Sequence, residues 1–328
     1  MSIDGLPLYK SSTKQLWPIL IWVEELPTAP VMLVGLFSGV SKPGLVEEFL
    51  RPLVEELNEL QQRGLRFGDK VVRLALSAFI ADSPARAFAK ATTYFNGKHG
   101  CLKCSCVGEH IKPEKKTVFL SVDAELRTDA GFRSRIDKDH HKPWRTPIED
   151  LHNFNMIDDV VVAERLHHLD FGATEWRSFL HYISIVVLKD FMPNDAFNHF
   201  LLYFCGVTIF SSSEHQRYWP LAEKFLYNFV KDFPQHYGRS HMTSNVHNIL
   251  HVSGDVAKFG PLDKFSAYRF ENYLQIIKRY VRSGTKVTVQ VAARMQEIAS
   301  VQRAATRTVL TYPRLKENGA GIHNVDEE

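Results

Sequence analysis

Cys101 and Cys104 form a Cys-x-x-Cys, and His247 and His251 form a His-x-x-x-His far downstream. Two thiolates and two imidazoles suit a tetrahedral Zn²⁺ centre. If both pairs serve one ion, everything between them must leave one point and return to it. Such a chain folds as a core with a long excursion clipped shut. Histidines four apart project from the same face of a helix, as paired ligands must. Cys106, His99 and His110 lie close to the cysteines and offer a local four-ligand site instead, and spacing alone leaves both arrangements open. Acidic residues bracket the two pairs, with Asp4 and Asp82 before the cysteines and Glu271 after the histidines.

The chain has 328 residues, 45% hydrophobic and 23% charged, enough to bury a large core in one or two domains. Forty Lys and Arg against 37 Asp and Glu give a net charge of +3, too small to mark a general polyanion binder. Four cysteines, three of them clustered, do not make a disulfide framework, and a reducing, intracellular setting is expected. Cys205 lies in an apolar run and reads as a small core residue. The apolar runs from Trp17 to Leu26 and Val31 to Leu36 are too short to cross a bilayer, so no membrane partner is expected.

Periodicity places strands at Trp17–Val23, Val31–Phe37 and Val71–Ile80, the last ending at Asp82. A further strand is expected within Ile3–Tyr9, carrying Asp4. Between Gly44 and Gly64, a helical stripe of Leu45, Phe49, Leu53, Leu57 and Leu60 predicts an amphipathic helix. Residues 108–147 read as an irregular connection with one strand at Val118–Val122. Its basic residues Lys112, Lys115, Lys116, Arg133 and Arg135 are expected to be solvated or to grip phosphate. Beyond Trp176 helices are predicted at Trp176–Leu188, Asp195–Phe210, Gln216–Phe229, Ser244–Phe259, Phe265–Arg282 and Val289–Ala305. A frayed tail around Gly319 and Gly321 follows. The fold class is α/β, divided into a first core part with the cysteine knuckle (1–107), an irregular connection and helical insertion (108–243), the His-pair and Glu271 helices (244–284), and a C-terminal helix with tail (285–328).

Three acids from separate elements can hold two Mg²⁺ or Mn²⁺ ions, an arrangement suited to hydrolysing and transferring phosphodiesters. Asp4 would bridge, Asp82 would end its strand and Glu271 would come from a late helix. The plain alternative is that Asp82 caps the helix after Pro84 and Glu271 is a surface residue.

The segments IDGLPLYKSS, WPIL, IADSPARAF, YFNGKHGCLKC, NVHNILH, GPLDKFSAYRFENYL and KRYVRSG resemble the transposases of CACTA (En/Spm-like) DNA transposons, over most of residues 1 to 284. The resemblance implies an RNase H-like catalytic core interrupted by a mainly α-helical insertion. It also implies a DDE triad of Asp4, Asp82 and Glu271, and structural zinc on Cys101, Cys104, His247 and His251. DNA would be the partner, as transposon ends and target, with a homo-oligomer assembled on it in the nucleus. There are departures, and a truncated copy is expected: three residues precede Asp4, where the resemblance implies a DNA-binding module, and the first strand is short. Glu164 in VVAERLHHLDFG stands where an Asp is expected, and Gly172 runs directly into ATEWRSFLHY. Glu164, with His167 beside it, is the reserve for the third acid, and a deletion near Gly172 is expected. These departures point to an impaired enzyme, or to a catalytically silent DNA- or chromatin-binding derivative.

Overall fold

The chain begins in a strand broken in two. In the computed structural model, which describes residues 1–9, 13–112, 114–170, 174–307, 314–317 and 323–326, β1 (Ser2–Ile3) and β2 (Leu6–Pro7) pair antiparallel with β3 (Gln15–Ile21). The register is continuous across the gap, with Ile3 opposite Ile19 and Leu6 opposite Leu16, which sets Pro18 opposite Asp4. Proline has no N–H to give a ladder, and pairing lapses at Asp4–Gly5. Asp4 Oδ1 instead accepts from the Gly5 N–H at 2.6 Å.

Strand β4 (Met32–Gly39) pairs antiparallel with β3. Helix α1 (Val46–Arg63) follows and ends before Gly64. It buries Val46, Leu50, Leu53 and Val54, so the core-facing stripe is rotated from the expected one, and Leu45, just before the helix, is exposed. Both stripes have a 3.6-residue period, and only packing distinguishes them.

Val71–Ile80 is not one strand. β5 (Leu65–Phe67) and β6 (Lys70–Val72) form a hairpin around Gly68–Asp69 that takes up the backbone groups of Val71 and Val72 and leaves both side chains exposed. Only β7 (Phe79–Ile80) enters the main sheet, and α2 (Ser83–Ala89) follows it.

The connection after α2 is irregular but tightly bonded. It holds the hairpin of β8 (Glu109–Ile111) and β9 (Lys116–Val118) and the short helix α3 (Asp129–Arg133). Arg133 binds Asp129 and the carbonyls of Glu149 and Phe154, while Arg135 binds the carbonyls of Lys142 and Trp144. These two arginines therefore cross-link loops and are spent internally. β10 (Val160–Val161) then pairs parallel with β7, which pairs parallel with β1. The sheet order is β4-β3-β1-β7-β10, with β2 prolonging β1 along β3. The fold is mixed α/β, about 51% helical, with this small mixed sheet.

The expected helix at Trp176–Leu188 is a composite of α4 (Thr174–Ser178), a π turn and α5 (Ser184–Phe191). The suspected break at Gly172 lies outside the described residues. α6 (Asn194–Phe210) and α7 (Trp219–Tyr237) pack through aromatic contacts such as Tyr203 on Phe229, with ring centroids 5.2 Å apart. Cys205 is half-buried on α6, and burial raises its thiol. α8 (Ser244–His247), a 3₁₀ turn and α9 (Val252–Phe259) continue the chain to α10 (Tyr268–Tyr280).

Residues Met1–Gln275 form one compact unit and Ile276–Glu328 a second. The second contains α11 (Val287–Arg307) and the antiparallel pair β11 (Arg314–Glu317) and β12 (His323–Asp326). Gln290 there accepts from the N–H groups of Arg282 and Ser283. The expected tail residues Gly319 and Gly321 lie outside the described residues. No described helix is long and apolar enough to cross a membrane.

The contact between α6 and α7 depends on Gly206, where an added Cβ would fall 2.5 Å from Leu226 Cδ2. Gly206→Val should therefore cost about 1–3 kcal/mol through overpacking, read as a lowered midpoint in urea unfolding.

Candidate metal centre and acidic cluster

The distant cysteine and histidine pairs meet. Cys101 Sγ lies 3.4 Å from His251 Nε2, Cys104 Sγ 3.2 Å from His247 Nε2, and the two sulfurs are 3.4 Å apart. All four residues are buried. A tetrahedral Zn²⁺ with Zn–S near 2.3 Å and Zn–N near 2.0 Å needs S–S and S–N edges of roughly 3.8 and 3.6 Å. The site needs to open by only a few tenths of an ångström, so this Cys₂His₂ group could hold a metal such as zinc.

Local structure prepares the ligands. The Cys104 N–H donates to Cys101 Sγ, turning the knuckle inward. Phe119 packs against the His247 ring with centroids 5.6 Å apart, and its N–H bonds to the Met242 carbonyl just before the histidine helix. Burial disfavours a Cys101 thiolate, but hydrogen bonds from Cys104 and the histidines, together with the charge of His251, pull its thiol well below the ordinary value. Cys104 shifts the other way because it donates its proton to Cys101. The local alternative falls away. His99 pairs with Asp137 at 3.0 Å, His110 is exposed on β8, and Cys106 is buried beside the group with its thiol raised by burial.

The acids converge at the carboxyl ends of three parallel strands. Ser2 on β1 is in register with Ile80 on β7, and Ile80 with Val161 on β10. Two residues further along, Asp4 comes beside Asp82, and Glu164 follows β10 at the same edge. Asp82 caps α2, its Oδ1 accepting from the Ala85 N–H at 2.7 Å. Beneath it the fully buried Arg86 guanidinium bonds the carbonyls of Ala81 and Val161, tying the ends of β7 and β10 together.

Glu271 arrives from the first turn of α10. That turn is fixed by the Ala267 N–H donating to Glu164 Oε2 at 3.0 Å and by the Tyr268 hydroxyl donating to Asp170 at 3.0 Å. The donor atoms of Asp4, His167 and Glu271 fall within 4.8 Å of one another. Asp82 lies outside that group, yet its charge acts on Asp4. Burial, followed by the charges of Asp82 and Glu271 and a hydrogen bond with Glu271, raises Asp4 to about 8. Glu271 is lowered by its hydrogen bonds to His167 and Asp4, which outweigh burial.

Sequence reasoning gave His167 no role of its own. It lies in the π turn Arg165–Leu169, with Nδ1 2.6 Å from Glu164 Oε1 and Nε2 3.6 Å from Glu271 Oε1. Burial opposes its charged form, but hydrogen bonds to Glu164 and Glu271 raise it to about 10. Glu164 is fully buried and does not join the Asp4 group. Its oxygens accept from the N–H groups of Leu166, His167 and Ala267 and from the His167 ring. The raised affinity for protons thus owes most to burial at Asp4, with neighbouring carboxylates second, and to bonded carboxylates at His167.

Two outcomes follow. Zinc should copurify at one ion per chain; Cys104→Ser and His247→Ala should lose it and destabilise the protein, because binding at such a centre adds to folding, whereas His99→Ala should retain it by metal analysis. In ion-free protein, native Asp4 keeps a proton up to about pH 8 that the unfolded chain releases near pH 4. Stability therefore falls as pH rises through that window, and Asp4→Asn should flatten the fall in melting scans taken across it. No protein-family model, curated protein or solved structure matches this chain.

Proposed function

We propose that the protein is a metal-dependent DNA strand-cleaving and strand-transferring enzyme of the transposase type, built on an RNase H-like core with a zinc-clipped helical excursion. The observation that carries this reading is the parallel register that sets Asp4 beside Asp82, with Glu271 delivered to Asp4 by α10. The strand order supports it: two antiparallel strands on one side of β1 and two parallel strands on the other. Open sheets of this kind bind ligands beyond the carboxyl ends of their parallel strands, where the acids stand.

The residues divide the work by position. Asp4, Asp82 and Glu271 would hold divalent cations, Mg²⁺ or Mn²⁺, which when bound screen phosphate charge and activate an attacking oxygen. Asp82 is held in place by its capping bond to Ala85, which commits one oxygen and leaves the other to reach a cation beside Asp4. Glu164 orients His167 and fixes the start of the helix bearing Glu271. Arg86 holds the two strand ends at a constant separation. In the cleavage reaction water adds to a phosphodiester phosphorus and the 3′-oxygen leaves as a hydroxyl. In the transfer, that hydroxyl adds to a target phosphodiester and releases the target's own 3′-hydroxyl.

The test is a nicking assay on supercoiled plasmid with zinc-loaded protein and Mn²⁺ or Mg²⁺. Wild type should nick, while Asp82→Ala and Glu271→Gln should each reduce the rate by at least about a hundredfold, the scale of losing an electrostatic catalytic group. Equal nicking by all three would remove the acids from the chemistry. DNA binding without nicking by the wild type would leave a silent DNA-binding derivative.

A further inference from the structure

We propose that His167 is itself a ligand of the ion held between Asp4 and Glu271, so that this position takes a first-row transition ion of the Mn²⁺ class in preference to Mg²⁺. The inference rests on the proposed function for the ion's presence and adds to it the identity of a nitrogen ligand and hence the metal's class.

The geometry has three parts. First, the atoms that approach one another are not three carboxylates. They are one oxygen each from Asp4 and Glu271 and one imidazole nitrogen, all within 4.8 Å. An octahedral ion with ligand bonds of about 2.1 Å sets neighbouring ligand atoms roughly 3.0 Å apart and opposite ones roughly 4.2 Å apart. The 3.6 Å from His167 Nε2 to Glu271 Oε1 lies between those limits.

Second, Glu164 determines which nitrogen is offered. It is completely buried and accepts the Nδ1–H at 2.6 Å, so the proton that a bound ion would displace is the one on Nε2, the nitrogen facing Glu271. A carboxylate behind a histidine, fixing ring and tautomer, is the arrangement that supports metal-ligating imidazoles. Glu164 is in turn anchored by the N–H groups of Leu166, His167 and Ala267, so the acceptor that orients the ring is itself fixed in place.

Third, imidazole nitrogen suits Mn²⁺ and later first-row ions, whereas Mg²⁺ favours an all-oxygen shell and keeps its waters. Asp82 is the oxygen ligand displaced from this group: one of its oxygens is committed to capping α2. The mixed set of Asp4, His167 and Glu271 therefore shifts preference away from the hard ion.

The experiment uses full-length protein with its Cys₂His₂ site preloaded with zinc, no DNA present, and Mn²⁺ or Mg²⁺ alone as probe. Wild type should bind Mn²⁺ at least about tenfold more tightly than Mg²⁺, and pulsed electron paramagnetic resonance should show coupling to one imidazole nitrogen. Asp4→Asn should lose that signal, which assigns it to the acidic cluster and not the zinc centre. His167→Ala should lose the nitrogen coupling and about tenfold or more in Mn²⁺ affinity while Mg²⁺ affinity stays level. His167→Asn and Glu164→Gln, with zinc content and melting checked for each, guard against a folding artefact; the first should match the alanine variant and the second should weaken Mn²⁺ selectively. Bound Mn²⁺ without nitrogen coupling, with nicking still dependent on Asp82, would overturn the His167 assignment and leave the proposed function standing. No divalent binding beyond the zinc centre would overturn both.

Discussion

Glu164 is out of contact with water, yet its two oxygens receive bonds from the N–H groups of Leu166, His167 and Ala267 and from the His167 ring. An isolated carboxylate in such a place would cost many kcal/mol, so the charge persists only because its bonds are charge-assisted and complete. Those bonds reach two segments about a hundred residues apart in sequence. The turn after β10 and the entry to α10 are thereby held to one point. Glu271 lies one turn into that helix, and its distance from Asp4 is set by this anchor. Removing one partner of such a buried charge typically costs 3–5 kcal/mol, so the acidic cluster and local stability fail together.

A second buried charge does the same for the metal centre. Lys103, inside the Cys-x-x-Cys, pairs with the fully buried Asp255 of α9 at 2.7 Å and donates to the Ile157 carbonyl. Asp255 also accepts from the Val162 and Ala163 N–H groups, directly after β10. The knuckle, the histidine-bearing helices and the end of β10 are therefore joined without an ion. Two residues beyond Val162 stands Glu164. The candidate metal site and the acidic cluster thus share one strand end, joined through Asp255.

The parts of this organisation visible in the sequence were those set by spacing and residue chemistry. The Cys and His pairs declare their ligand type, and Asp82 before a proline marks a strand-to-helix corner where it proves to be both cap and neighbour of Asp4. The helices expected at Asp195–Phe210 and Val289–Ala305 are found within two residues, whereas the one expected to end at Phe229 runs on to Tyr237 and the one expected at Ser244–Phe259 is interrupted by a 3₁₀ turn. What stayed hidden depends on tertiary partners. The α1 stripe on Leu45 and the one on Val46 have equal periodicity, and only tertiary packing decides which residues are buried. The Val71–Ile80 run looked like one strand because apolar content says nothing about the hairpin that Gly68–Asp69 permits. Arg133 and Arg135 read as solvated or as phosphate grips because the carbonyls that take their donors cannot be seen in a linear chain. Glu164 was placed as a possible third acid, but its side chain is turned inward to hold His167.

Why acids should gather at this edge at all follows from the backbone. Parallel strands β1, β7 and β10 end together; two positions past the Ser2–Ile80 pair stand Asp4 and Asp82, and three past Val161 stands Glu164. Pro18 interrupts the ladder opposite Asp4, so the aspartate is released from the sheet where Asp82 is turning into α2. Four carboxylates, Asp4, Asp82, Glu164 and Glu271, then crowd a region with the buried cation Arg86 behind it. Glu164 is satisfied internally and Arg86 spends its donors on Ala81, Val161 and Ser83. The charges of Asp82 and Glu164 act on Arg86, His167 bonds Glu271, and like charges at such range cannot all ionise in a partly buried site. A fold that brings these side chains together on strand ends, instead of dispersing them over solvent, favours protons or cations held among them.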